Sequence, residues 1–532
     1  MGKPWKDTAH KVSGPLVQIA ALVLIGLVFY LGIRSERTGF VREVIDPGFH
    51  KLSDPVLNAF RRKPPPVAEI DLVVDSIAMD SLTKLGEQAL QERRVLHDGK
   101  AVFAGQLRLG ERSVPVVIAL REGPALPGAT KHWPLHVRAL PGDTVLGMQT
   151  FDVIPVVDEA PLWTMLLHTV LMDQGNAGLN SALAEVALNG KAKGLCILHG
   201  RPDATTMAGW SWGNGPVLRF DDALLLDARS LMAQRMFPST PPPQGDWFSA
   251  PLLMHSVESD QAAARRGQRA IRKLEAFRTG EMDASEVFDA HLFARALALS
   301  ELLGVQSAMD WWDLRFLVDS VSERLVPIPL HITTHAPISS LFAEGPAGAR
   351  RSVAQGREIT MRALADPKIN ALYIGYLDTF STPGWWEAEL ARISARIEPL
   401  RKVIHAEHPW IDLDLKIIDH DRTVIRQALY PKELALAYIR DAQNATDGIA
   451  VANVHALGIE VIGVVFSEGD TVALAPPIRL DPRERDRPLH YTLLPMALVR
   501  DQRVPKEVLV RIAPTLRPQG VHIRTWSTFG AN

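Results

Sequence analysis

Two carboxylates, Asp310 and Asp313, bracket a pair of tryptophans, Trp311 and Trp312, on the segment that follows an apolar helix. Carboxylates so placed could take a proton from a hydroxyl or hold a divalent cation. They could equally cap a turn while the tryptophans pack into a core. Both readings stand at the level of sequence. The helix before them carries Phe293, Leu297 and Leu302 on one stripe, and a Gly304 turn ends it. After the acidic loop, strands are expected at 314–318 and 325–330, joined by a turn at 319–323. Helix, polar loop and hairpin together hold side chains rigidly at the floor of a cleft.

Other motifs carry less chemistry. Gly209-Trp210-Ser211-Trp212-Gly213 matches G-x-S-x-G, but Asn214-Gly215-Pro216 follows where a nucleophile elbow requires a helix. A Trp/Gly loop is the better reading. His331-Ile332-Thr333-Thr334-His335 spaces two histidines like a zinc-binding helix. It lacks the glutamate base, and Pro327 and Pro329 just before it argue for extended chain. No P-loop and no G-x-G-x-x-G is present. The single cysteine, Cys196, excludes an intrachain disulfide and any cysteine-built structural zinc site. Its apolar neighbours make it a buried small hydrophobe.

At 532 residues the chain is too long for one core. Hydrophobic residues at 47% and charged residues at 22% describe a globular protein. A formal net charge of -2 gives no electrostatic reason to expect nucleic acid. Between Lys11 and Arg34 no residue is charged, and 16–33 is almost wholly apolar. About 20 such residues cross a bilayer core of roughly 30 Å. The run reads as an uncleaved anchor, with the body outside the cytoplasm, periplasmic or extracellular. Amphipathic stretches at 40–60 and the basic, Pro-rich 61–66 follow as a spacer.

From residue 68 the pattern is mixed. Strands are expected at 70–74, 101–109, 114–120, 133–139, 143–153 and 183–188, and helices at 80–94 and 163–171. Asn189-Gly190 is a strong hairpin turn with 194–199 returning. An exposed helix is expected at 261–278, and helical regions at 353–376 and 385–405. Alternation returns at 411–418. From 448 onward short strands separated by Pro and Gly suggest a small antiparallel sandwich.

The order of several segments resembles the CotH family of atypical kinase-like proteins, in its membrane-anchored bacterial branch. The segments are Lys131-His132-Trp133-Pro134-Leu135-His136-Val137-Arg138, Gly147-Met148-Gln149-Thr150-Phe151-Asp152-Val153 and Val186-Ala187-Leu188-Asn189-Gly190 with Gly194-Leu195. Gly215-Pro216-Val217-Leu218-Arg219-Phe220-Asp221, the run from Trp311 to Leu317, and Leu325-Val326-Pro327-Ile328 complete the set. The resemblance implies transfer of the γ-phosphate of ATP to protein Ser/Thr, with magnesium. It assigns Arg121, Lys131 and Arg138 as nucleotide-binding cations, Asp310 as base and Asp313 as base or metal ligand. The sequence departs from the family where it matters most. Arg121 stands where a phosphate-binding lysine is usual, His199 where an acid is usual, and His331 where the magnesium aspartate is expected. Imidazole is a poor ligand for a hard cation.

The expectation is therefore α+β: an atypical kinase-like core at 68–345 behind an N-terminal transmembrane helix at 1–34 and a spacer at 35–67. A helical extension at 346–445 and a C-terminal antiparallel β domain at 446–532 complete it. Function is expected to be that of a degenerate kinase acting as scaffold or protein-partner module, with no cofactor. The alternatives are an active Ser/Thr kinase using ATP and magnesium, or a carbohydrate-binding envelope protein using Trp210, Trp212, Trp311, Trp312, Trp385 and Trp386. Removing residues 1–34 is expected to release the body from detergent dependence in a membrane-extraction assay, since no later stretch is comparably long and apolar. A truncated chain that still partitions with membranes would contradict the anchor.

Overall fold

The computed structural model describes residues 66–525 apart from 93, 96–100, 125–132, 158–160, 234–246, 256–260, 333, 345–355, 409–410, 412, 440–447, 484–486, 495–503 and 515. The apolar span at 16–33, the spacer up to residue 65 and Lys131 lie outside the described residues. Among the described residues no helix is long and apolar enough to cross a membrane.

Seven strands close into a barrel. Ala68–Val74 pairs antiparallel with Phe103–Leu109, which pairs with Arg112–Leu120, then Leu135–Ala139, Thr150–Pro155, Lys191–Gly200 and Ser181–Leu188. The ring shuts where Ser181–Leu188 lies parallel to Ala68–Val74. Alternation along each strand sends one set of side chains inward. Leu72, Val116, Ile118, Val137, Phe151, Val186 and Cys196 meet inside as a core of their own. The closure is pinned at the Asn189-Gly190 turn, where both residues take positive φ (51° and 72°) as a tight hairpin requires. Asn189 Oδ1 accepts from Val74 N–H at 2.8 Å, and Asp71 Oδ1 accepts from Gly190 N–H at 3.0 Å.

The second layer is a four-stranded antiparallel sheet in the order Leu252–His255, Val217–Phe220, Leu314–Val318, Leu325–Pro329. Its strands carry bulky residues on the face that meets the helices. Phe220, Trp247, Phe277, Phe288, Phe293, Trp311 and Phe316 form a continuous aromatic core there, with Phe288 and Phe293 ring centres 4.7 Å apart. Helices Pro161–Asp173, Gln261–Thr279 and Ala290–Leu302 cover this core. Asp289 caps the last of them by accepting from Leu292 N–H, and Gly304 at φ +64° ends the turn beyond it.

Glu358–Ala365, Pro367–Ser381, Trp385–Glu407 and Lys416–Leu429 make a helical layer. Beyond it lies a seven-stranded sheet in the order Thr471–Leu480, Ile459–Phe466, Pro505–Arg511, Gln519–Thr525, Ala435–Ile439, Ile449–Asn453, Thr492–Leu493.

The expected fold class is overturned on these points. The first half of the core is a closed barrel rather than a kinase-like lobe, because a parallel pairing between distant strands joins its two edges. The C-terminal sheet is mixed rather than antiparallel, because Ala435–Ile439 inserts parallel to Gln519–Thr525. Among the described residues of 411–418 the alternation leads not into a strand but into the amphipathic helix Lys416–Leu429. The strand Leu252–His255 and the helix Ala223–Ala233 are additional to the expected elements.

Gly215 enters the second sheet where a Cβ would lie 1.8 Å from the Val318 carbonyl oxygen. Backbone on that side cannot yield as a flexible side chain would. Gly215→Ala is expected to cost about 2–3 kcal/mol of stability, measured by denaturant unfolding. An unchanged midpoint would mean that the two strands do not approach this closely.

Candidate functional site: a cationic cleft beside the barrel

A cavity of about 480 Å³ opens between the outer face of the barrel and the four-stranded sheet. Its polar lining is dominated by Arg138, Arg201, Arg219, Arg315, His136 and His255, and its apolar lining includes Leu120, Leu218, Leu253 and Met254. The barrel supplies one wall. On Leu135–Ala139 the residues Leu135, Val137 and Ala139 point inward, so His136 and Arg138 point out, two residues apart on one face. Arg138 pairs across to Thr150, and Arg201 N–H donates to the Thr150 carbonyl at 2.9 Å. Arg138 is exposed and makes no ion pair among the described residues.

Asp152 organises this wall. It is 0% exposed, beside His136 on one neighbouring strand and His199 on the other. Arg201 Nε donates to Asp152 Oδ2 at 2.8 Å, His136 Nδ1 lies 2.9 Å from Oδ1, and Arg121 Nε lies 3.7 Å from Oδ2. Burial alone would push its carboxyl up, but Arg201, His136 and Arg121 outweigh that and hold it well below the usual range. An ionised Asp152 accepts from His136 Nδ1–H, which leaves Nε2 for the cavity.

The sheet supplies the opposite wall. Arg219 reaches Glu122 at 3.0 Å and Asp222 at 3.7 Å. Arg315 Nη1 donates to the Trp312 and Leu314 carbonyls at 2.8 and 3.0 Å. Burial, with Arg219 and Arg201 nearby, draws its pKa down to about 10, so it remains a cation at neutral pH. Burial lowers the pKa of His255, with Arg138 and His136 adding to the shift.

The sequence-derived residues fall in different places. Arg138 lines the cavity. Arg121 lies behind the wall beside Asp152. Asp310 and Asp313, 7% and 6% exposed, are not among the cavity's lining residues. The Asp310 carbonyl accepts from Asp313 and Leu314 N–H groups, and Arg357 Nε lies 3.8 Å from its carboxylate. The Asp313 carbonyl accepts from Leu330 N–H at 3.0 Å and ties the loop to the hairpin. His331 is buried beside His199, with ring centres 5.8 Å apart. His136, Asp152, Arg201, Arg219, Arg315 and His255 were not singled out in the sequence. The outward positions of the Leu135-His136-Val137-Arg138 alternation were the one available signal.

His168, His199 and His331 form a buried row beneath the wall. His199 Nε2 donates to the Leu330 carbonyl at 3.0 Å while Nδ1 faces the Ser181 hydroxyl at 2.9 Å. His168 Nδ1 accepts from Leu179 N–H at 3.1 Å. Burial favours the neutral ring in all three, lowering His199 to about 4 and the other two well below their ordinary value. Among the described residues no group of three or more His, Cys, Asp or Glu is arranged to hold a metal ion.

A depressed histidine pKa means that the unfolded chain binds protons which the folded chain refuses. The stability from these rings is fully present above about pH 6.5 and is lost as pH falls towards 4, by roughly 1.4 kcal/mol per pH unit for each histidine. In His331→Gln the acid slope of unfolding free energy over that window should become shallower by about 1.4 kcal/mol per pH unit. An unchanged slope would show that His331 takes up a proton in the folded state.

Compared with known proteins, the chain matches no protein-family model and no curated protein, so the likeness to the CotH family rests on the six sequence segments alone.

Proposed function

We propose that the protein is a non-catalytic binding module, and that the cationic cleft is where it engages its ligand or partner. The observation that carries this reading is where the carboxylates sit. Among the described residues Glu122 is the one carboxylate lining the cavity, and it is held by Arg219. Asp310 and Asp313 are buried in the turn that joins the Gln306–Met309 helix to the sheet. A phosphoryl-transfer site needs a base near the acceptor hydroxyl and carboxylates on magnesium, facing the phosphate-binding cations. Here Asp310 and Asp313 are not among the residues that line the cavity with those cations.

The carbohydrate reading loses support on similar grounds. Trp311, Trp312 and Trp386 are core residues at 1%, 9% and 4% exposure, so they offer no ring face to a sugar. Trp210 and Trp212 stand half-buried and edge to face, with ring centres 6.0 Å apart.

Asp310→Ala separates this reading from an active Ser/Thr kinase. In the full chain with ATP and magnesium, no phosphate transfer above background is expected, before or after the change. The substitution should instead lower stability by about 1–3 kcal/mol, since it strips the half-buried Arg357 of its neighbouring carboxylate. Autophosphorylation of the unaltered chain, abolished by Asp310→Ala, would overturn the proposal.

A further inference from the structure

The cleft's chemistry narrows the ligand. Val217 pairs with Leu317 and Leu218 with Phe316, so the antiparallel register places Arg219 across from Arg315. Like charges opposite each other on neighbouring strands destabilise a sheet. Glu122 and Asp222 offset part of that repulsion from the rim. Across the cavity Arg138 brings a further cation, and Arg201 stands beside it with its own carboxylate, Asp152, sunk behind the wall. Arginines converging from two walls on a small space suit a group with several anionic oxygens. His136, held by Asp152, and His255 add donors that turn towards the same space.

We propose that this cleft binds the phosphate group of a small phosphate ester directly, arginine to oxygen, without an intervening divalent cation. The ester's apolar body then lies on Val217 and Leu253, which share the face of Arg219. The proposal rests on the cleft being a binding site, as argued above. Direct binding is favoured by the lining: a magnesium–phosphate complex is held through protein carboxylates, and among the described residues the one lining carboxylate is held by Arg219. An aryl ester and an alkyl ester share the required chemistry and differ only in the body they bring.

The test uses the purified full chain in EDTA, titrated calorimetrically with inorganic phosphate, phenyl phosphate and hexyl phosphate. Both esters are expected to bind, and the tighter one identifies the kind of body the apolar wall accepts. Arg138→Gln removes an exposed side chain that makes no ion pair among the described residues. It should weaken ester binding by about tenfold or more while leaving the unfolding midpoint unchanged. His255→Ala should weaken it in the same sense. Absence of ester binding, binding that requires magnesium, or affinity indifferent to Arg138→Gln would each overturn the proposal. Ester binding in EDTA combined with ATP turnover would support the site while sinking the non-catalytic reading, so the two failures are distinguishable.

Discussion

A carboxylate with no exposure to water, Asp152, is the constraint around which the cleft is arranged. An ion buried alone would be expelled or neutralised, since taking it out of water costs several kcal/mol. Here the strand register places it between His136 and His199, and the chain leaving the next strand brings Arg201 back over it. Those partners are thereby fixed in place. Asp203 holds the same corner, accepting from Thr150 N–H at 2.6 Å and capping Thr206 N–H at 2.8 Å. The barrel thus presents Arg201 and His136 in one geometry before any ligand arrives, which lowers the ordering cost of binding.

The opposite wall depends on a different interaction, aromatic packing. Phe220, Trp311 and Phe316 belong to the same strands and loop as Arg219 and Arg315, with Phe220 and Trp311 edge to face at 6.3 Å. Burying those rings on one face of the sheet forces the arginines to the other. The Trp311-Trp312 pair therefore serves the core, and Asp310 and Asp313 serve the turn that delivers it. A motif with the look of chemistry is used for construction, while arginines on the barrel and the sheet line the cavity.

Much of the local structure was legible in the sequence. Asn189-Gly190 marked its hairpin because two successive positive φ angles demand such residues. The Phe293, Leu297 and Leu302 stripe marked the helix under the second sheet. Closure of the barrel was not legible, because Ala68–Val74 and Ser181–Leu188 are distant strands and alternation says nothing of which strands meet. For the same reason Ala435–Ile439 gave no sign that it would pair parallel with Gln519–Thr525. In the site, Arg138 could be named from the sequence but Asp152 could not. In Phe151-Asp152-Val153 an outward polar position looks the same whether it faces water or, as here, three basic partners that cover it.

The central claim is that anionic oxygen is recognised by arginines held ready on the barrel and the second sheet. Diffraction from crystals soaked in tungstate, an oxyanion visible by its anomalous signal, tests it most directly. The account predicts a peak inside the cleft, between Arg138 and Arg201 on one side and Arg219 on the other. An empty cleft, with the anion bound instead beside Asp310 and Asp313 through a divalent cation, would contradict it.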